Sequence, residues 1–68
     1  MITEEVGKRI SQLRKEQNLS QEKLALKADL DRTYLAGIEK GKRNPSLKSL
    51  ERIIDALGVT FCSFFQNI

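Results

Sequence analysis

The sequence predicts an all-α fold of five short helices. Apolar residues recur at spacings of three and four, with little of the alternation a strand requires. Gly41, Pro45 and Gly58 fall between the helical patterns and punctuate them. Four segments open with the same device, a capping side chain preceded by an apolar residue that can pack on the fourth helical position.

The first helix is expected over 4–17. Val6, Ile10 and Leu13 form its apolar stripe, Thr3 is the candidate cap, and Glu4 and Glu5 suit its positive amino-terminal end. It should stop near Gln17–Asn18. The second is expected over 20–28, capped by Ser20 with Leu19 set against Leu24. The third, 31–40, is capped by Asp31 with Leu30 against Leu35. The fourth, 46–57, starts at Ser46 with Pro45 against Leu50. The last, 60–66, starts at Thr60 with Val59 against Phe64.

Only Ala28, Asp29 and Leu30 separate the second and third helices, so the pair must diverge sharply. That is a helix-turn-helix, spanning about 20–40. Gly41-Lys42-Arg43-Asn44-Pro45 is a true loop: Gly41 can take a left-handed cap, and Pro45 keeps one helix from running into the next. No linker or repeat divides residues 1–68, which read as one domain.

Composition excludes much. Cys62 is the only cysteine and there is no histidine. An intrachain disulfide, a zinc site and histidine-based acid/base chemistry are therefore out. No apolar run approaches the ~20 residues of a membrane span, and no export signal is visible. One free thiol fits a reducing, cytoplasmic setting. The expectation is a soluble protein that is not an enzyme and uses no metal, cofactor or small-molecule ligand. A core of 68 residues is small, so a second subunit is the expected support.

Net charge is +3, unevenly spread. Residues 1–31 are neutral overall. Residues 32–52 carry Arg32, Lys40, Lys42, Arg43, Lys48 and Arg52 against Glu39 and Glu51. A basic middle is a footprint for an anionic partner, or else a solvated helical face. Stepping at about 100° per residue, Leu35 and Ile38 face the core, so Thr33, Gly37 and Lys40 face away. Residues near the start of such a helix meet base edges when it enters a major groove. Arg32 can fork onto guanine and Thr33 can bond a base or touch a thymine methyl. Tyr34 suits a backbone contact, or is a half-buried aromatic with a wet tip. Gln21 opens the second helix, whose free N–H groups attract phosphate. Lys42, Arg43 and Asn44 form a second phosphate clamp or a plain polar loop.

The runs Leu19-Ser20-Gln21-Glu22-Lys23-Leu24-Ala25, Leu30-Asp31-Arg32-Thr33-Tyr34-Leu35 and Ile38-Glu39-Lys40-Gly41-Lys42-Arg43-Asn44-Pro45-Ser46 resemble the phage repressor/Cro (XRE) class of helix-turn-helix domains. The resemblance covers about residues 6–58. Asp-Arg-Thr-Tyr at 31–34 and Gly-Ile-Glu at 37–39 look most like the controller proteins of restriction–modification systems. It implies a five-helix phage-repressor-like domain with Arg32, Thr33 and Gly37 at base-reading positions. Gln21, Tyr34, Lys40, Lys42, Arg43 and Asn44 then lie along the DNA backbone, although many relatives carry a polar side chain where this chain has Gly37. It also implies an internal Arg14–Glu39 salt bridge and a dimer interface built from Phe61, Phe64 and Phe65.

The resulting expectation is a homodimeric, sequence-specific regulator of transcription on a palindromic double-stranded DNA operator, with RNA polymerase a further candidate partner. An antitoxin-like, plasmid or phage autorepressor is the nearest alternative. A protein-interaction module that has lost DNA binding is the alternative of a different class, and the retained Arg32, Thr33, Lys42 and Arg43 argue against it.

Overall fold

Each of the last four helices starts where a side-chain oxygen accepts a hydrogen bond from the third backbone N–H beyond it. Ser20 accepts from Lys23 (3.0 Å), Asp31 from Tyr34 (3.2 Å), Ser46 from Ser49 (3.1 Å) and Thr60 from Ser63 (3.0 Å). The capping residues are extended, so each satisfies an orphan donor while turning the chain into the helix. The computed structural model, which describes residues 1–66 and 68, accordingly contains α1 (Ile2–Glu16), α2 (Gln21–Ala28), α3 (Arg32–Glu39), α4 (Leu47–Leu57) and α5 (Phe61–Phe64). No strand occurs among the described residues.

Two boundaries differ from expectation. α1 starts earlier, with Met1 at the cap and its ammonium 3.2 Å from the Glu4 carboxylate. Thr3 is therefore not a cap. It lies in the first turn, and its hydroxyl donates to Asn44 Oδ1 at 2.6 Å, a bond across the fold in place of a local one. α5 is shorter than 60–66. Beyond Phe64 the chain tightens into a turn in which the Gln66 N–H reaches back only to Ser63 O (3.3 Å).

The helix ends are equally local. Asp29, in the left-handed region at φ 57°, ends α2, and the Leu30 N–H returns to Ala25 O at 2.8 Å. This reversal makes the sharp α2–α3 turn. Gly41, at φ 77°, ends the turn after α3 and lies so close to Glu4 that a Cβ there would stand 2.9 Å from its Cγ. Conformation and space both demand glycine at that position.

Every helix supplies the core. Val6, Ile10 and Leu13 come from α1, Leu24, Ala25 and Ala28 from α2, and Leu35 and Ile38 from α3. Leu50, Ile53, Ile54 and Leu57 come from α4, and Phe64 from α5. Leu19, Leu30 and Val59, the apolar residues preceding three of the caps, pack against this cluster. α2 lies on α3 and α4, and α1 lies on α3. At that last crossing Gly7 is buried, and a Cβ on it would collide with the carbonyl oxygens of Ile38 and Glu39. The absence of a side chain lets α1 rest directly on the last turn of α3.

The placement of Phe64 corrects the expected interface. It is 0% exposed, enclosed by its own chain, and has no surface to offer a second subunit. Phe65 is half-buried and meets it edge-on, with ring centroids 4.9 Å apart. Phe61 remains 45% exposed. The reason is the spacing from the Thr60 cap: position 64 closes the staple with Val59 and points inward. Among the described residues no helix is long and apolar enough to cross a membrane.

Two substitutions test this packing. Gly7→Ala should destabilise the fold by about 1–3 kcal/mol, since rigid backbone blocks the added methyl. Phe64→Ala should cost about 3–5 kcal/mol of folding stability. Denaturant titration measures both, and a wild-type midpoint in either variant contradicts the corresponding contact.

Candidate nucleic-acid interface

The short turn after Asp29 brings α3 up at an angle to α2 with its first residues uncovered. Leu35 and Ile38 are fully buried on the inner side, while Arg32 and Thr33 are exposed in the first turn. Among the described residues neither side chain makes a hydrogen bond, and both are open to solvent. Lys40, Lys42, Arg43 and Asn44 continue the exposed surface past the other end of α3. Exposed cations thus stand at both ends of one short helix and continue into its loop, and a duplex groove admits a helix of this width.

Tyr34 sits between recognition turn and loop. Its hydroxyl accepts from the Ser46 N–H at 3.3 Å, and the Arg43 guanidinium carbon lies 5.2 Å from its ring centroid, a cation–π distance. The polar Ser49 side chain beside it is the main influence holding the phenol below its ordinary range. Burial opposes that shift, while Ser46 and the Arg43 charge add to it. Tyr34 is therefore the half-buried aromatic with a polar tip, joining α3 to the start of α4.

Gly37, expected to face bases, is half-buried because Arg43 lies across it. A Cβ at Gly37 would stand 2.6 Å from Arg43 Cγ. The backbone agrees, since the N–H groups of Lys42 and Arg43 both reach Gly37 O, at 3.0 and 3.3 Å. The outward position on the middle of α3 is therefore occupied by the arginine that follows in the loop.

Two of the expected backbone contacts are partly engaged inside the protein. Gln21 Nε2 donates to Glu39 Oε1 at 3.1 Å, and Asn44 Oδ1 accepts from Thr3. The reason is proximity: α2 starts beside the last turn of α3, and the loop passes the first turn of α1. Gln21 still stands at the head of α2, where backbone N–H groups face outward.

Arg14 and Glu39 form a two-pronged ion pair. Arg14 Nε lies 2.9 Å from Glu39 Oε2 and Nη2 lies 3.0 Å from Oε1, while Nη1 donates to Leu19 O at 2.8 Å. Their side chains are only 11% and 5% exposed. The pair locks α1 to the end of α3 and neutralises the acid that directly precedes the basic segment 40–43. Thr3, Gly41 and Ser49 also shape this surface. Sequence reading missed Thr3 and Ser49 because each acts through a partner that only the fold brings near.

Residues 10–64 match the helix-turn-helix family. The chain belongs to that family. It is a helix-turn-helix transcriptional regulator, related to phage repressors and restriction–modification controllers. Over 63 residues it is 51% identical to the control protein C.MunI of a Mycoplasma species, covering 91% of this chain and 85% of that one. It is 54% identical over 54 residues to the immunity repressor of Bacillus phage phi105, covering 79% of this chain but 38% of the repressor. The restriction–modification controller C.Esp1396I, solved as a tetramer with its natural 35 base-pair operator, superposes with a TM-score of 0.92 at 42% identity. That match covers 97% of this chain and 87% of the controller.

Removing Arg14 should leave Glu39 as a nearly buried charge held by Gln21 alone. Breaking such a pair costs about 3–5 kcal/mol, against roughly 0–1 for a surface pair. Arg14→Ala should accordingly lower the denaturation midpoint steeply. An unchanged midpoint would sink the structural role assigned to the pair.

Proposed function

We propose that two copies of this chain, paired through α5, bind a palindromic operator and control transcription of a restriction–modification locus. The observation that carries the reading is the uncovered Arg32–Thr33 turn at the head of α3, continued by Lys40, Lys42 and Arg43. Arg32 meets a base edge, most readily guanine O6 and N7, and Thr33 meets its neighbour. Lys40 and Lys42, with the head of α2 at Gln21, grip phosphates on either side. Two-fold pairing sets the half-sites about 34–36 Å apart, one duplex turn. The likeness to control protein C.MunI and to operator-bound C.Esp1396I supports the regulatory setting.

The second copy covers apolar surface that α5 leaves open, with Phe61 and Phe65 as its core and Phe64 behind them. The protein works in the cytoplasm, takes no small-molecule ligand and performs no catalysis. Its direct partners are operator DNA and its own second copy, with RNA polymerase the further partner where it activates a promoter.

Base reading and phosphate gripping respond differently to salt. Each phosphate neutralised contributes about −0.9 to the slope of log K against log salt. Lys42→Ala should weaken operator and scrambled duplex alike and flatten the slope by roughly one unit per subunit involved. Arg32→Ala should cost about 1–3 kcal/mol per half-site on the operator, relax preference at one base pair, and affect scrambled duplex less. Titrations at several salt concentrations on both duplexes give these quantities. Equal losses on the two duplexes for Arg32→Ala would make it another phosphate contact and remove the basis for sequence reading at that turn.

A further inference from the structure

α5 has four residues, too few for a helix to hold its own conformation in water. Three contacts keep it in place. Phe64 is sunk in the core, Thr60 caps the amino end, and Arg9 of α1 grips the carboxyl end. Arg9 Nε donates to Phe64 O at 2.8 Å and Nη2 donates to Ser63 O at 2.9 Å. These carbonyls belong to the last turn of α5, where the regular helix bonds run out and a cation is favoured, and Ser63 O has besides Arg9 only the long 3.3 Å bond from the Gln66 N–H. The flat guanidinium spans both at once, which a lysine ammonium cannot do with the same fixed geometry.

This grip controls direction. Phe64, with Val59 and Phe65 packed against the same core, anchors α5 through apolar contacts that set no direction. Arg9 adds two directional bonds, which fix where Phe61 and Phe65 face. The hydrogen bonds of Arg9 among the described residues go to Gln12, Ser63 and Phe64, none of them in segment 32–44. We infer that Arg9 is a positioning residue for self-association, aligning α5 so that Phe61 and Phe65 meet a second copy. The inference rests on the reading of α5 as the pairing surface.

Sedimentation equilibrium on wild type, Arg9→Ala, Arg9→Lys and Phe61→Ala tests it, with operator binding by each variant both as separate chains and as a tandem of two linked copies. Arg9→Ala should raise the dimer dissociation constant about tenfold or more, and Arg9→Lys should fall between it and wild type. Linking the two copies should restore operator affinity to Arg9→Ala, because the DNA-facing turn is untouched and linkage replaces lost association. A variant that had merely lost its fold would gain nothing from linkage. If Phe61→Ala weakens the dimer while both Arg9 variants match wild type, Arg9 has no positioning role. The same follows if linked Arg9→Ala stays defective on the operator. If Phe61→Ala also pairs like wild type, the α5 reading itself fails and takes the inference with it.

Discussion

The Glu39 carboxylate receives the forked guanidinium of Arg14 and the side-chain amide of Gln21. Through that one group the last turn of α1, the head of α2 and the end of α3 are held in a single arrangement. The core alone would not fix it, because apolar contacts are non-directional and tolerate small rotations. A base-reading helix tolerates few. Its side chains must reach base edges within hydrogen-bond geometry, so an error in the pose of α3 is an error in recognition. A nearly buried ion pair is a poor source of net stability but a good source of alignment, and alignment is what this site requires.

The surface around α3 is assembled from the backbone outward. Gly7 lets α1 press on the carbonyl end of α3, and Gly41 lets the following turn press on Glu4. Thr3 then reaches Asn44, and Tyr34 reaches Ser46. The loop carrying Lys42 and Arg43 is thus bounded at both ends by ordered contacts. Arg43 lies over Gly37 and the Tyr34 ring, so the loop cation is held against the middle of α3. Cations held this way lose less entropy on meeting a polyanion than cations on a free loop.

At the opposite end of the chain the demands are different. A small domain leaves apolar surface that its own residues cannot cover. Here α5 divides its three phenylalanines: Phe64 completes the core, Phe65 lies half-covered beside it, and Phe61 stays open. The core phenylalanine secures the segment by burial, while Phe61 keeps nearly half of its surface in water.

The sequence by itself determined the helices and the exposed recognition turn. Caps, apolar periodicity and left-handed stops act within four or five residues, so Ser20, Asp31, Ser46 and Thr60 announced their helices without any knowledge of the fold. The outward exposure of Thr33 and Lys40 followed from the same periodicity once Leu35 and Ile38 were assigned inward, although Gly37, placed outward with them, is half-buried. The Arg14–Glu39 pair was legible only through likeness to a family, since 25 residues separate its partners. Tertiary structure decided the rest. Thr3 looked like a cap because only its neighbours were visible, whereas its partner Asn44 lies 41 residues away. The Thr60 spacing already set Phe64 against Val59, but its complete burial, and how far Phe61 and Phe65 are covered, were decided by packing. Gly7 and Gly37 resembled incidental glycines until a neighbouring backbone and Arg43 were found filling the space a side chain would need. Arg9 gave no local signal at all, because the carbonyls it grips belong to a helix more than fifty residues on. Local preferences are short-ranged energies and can be read along the chain, but which groups meet across it is settled only when the helices pack.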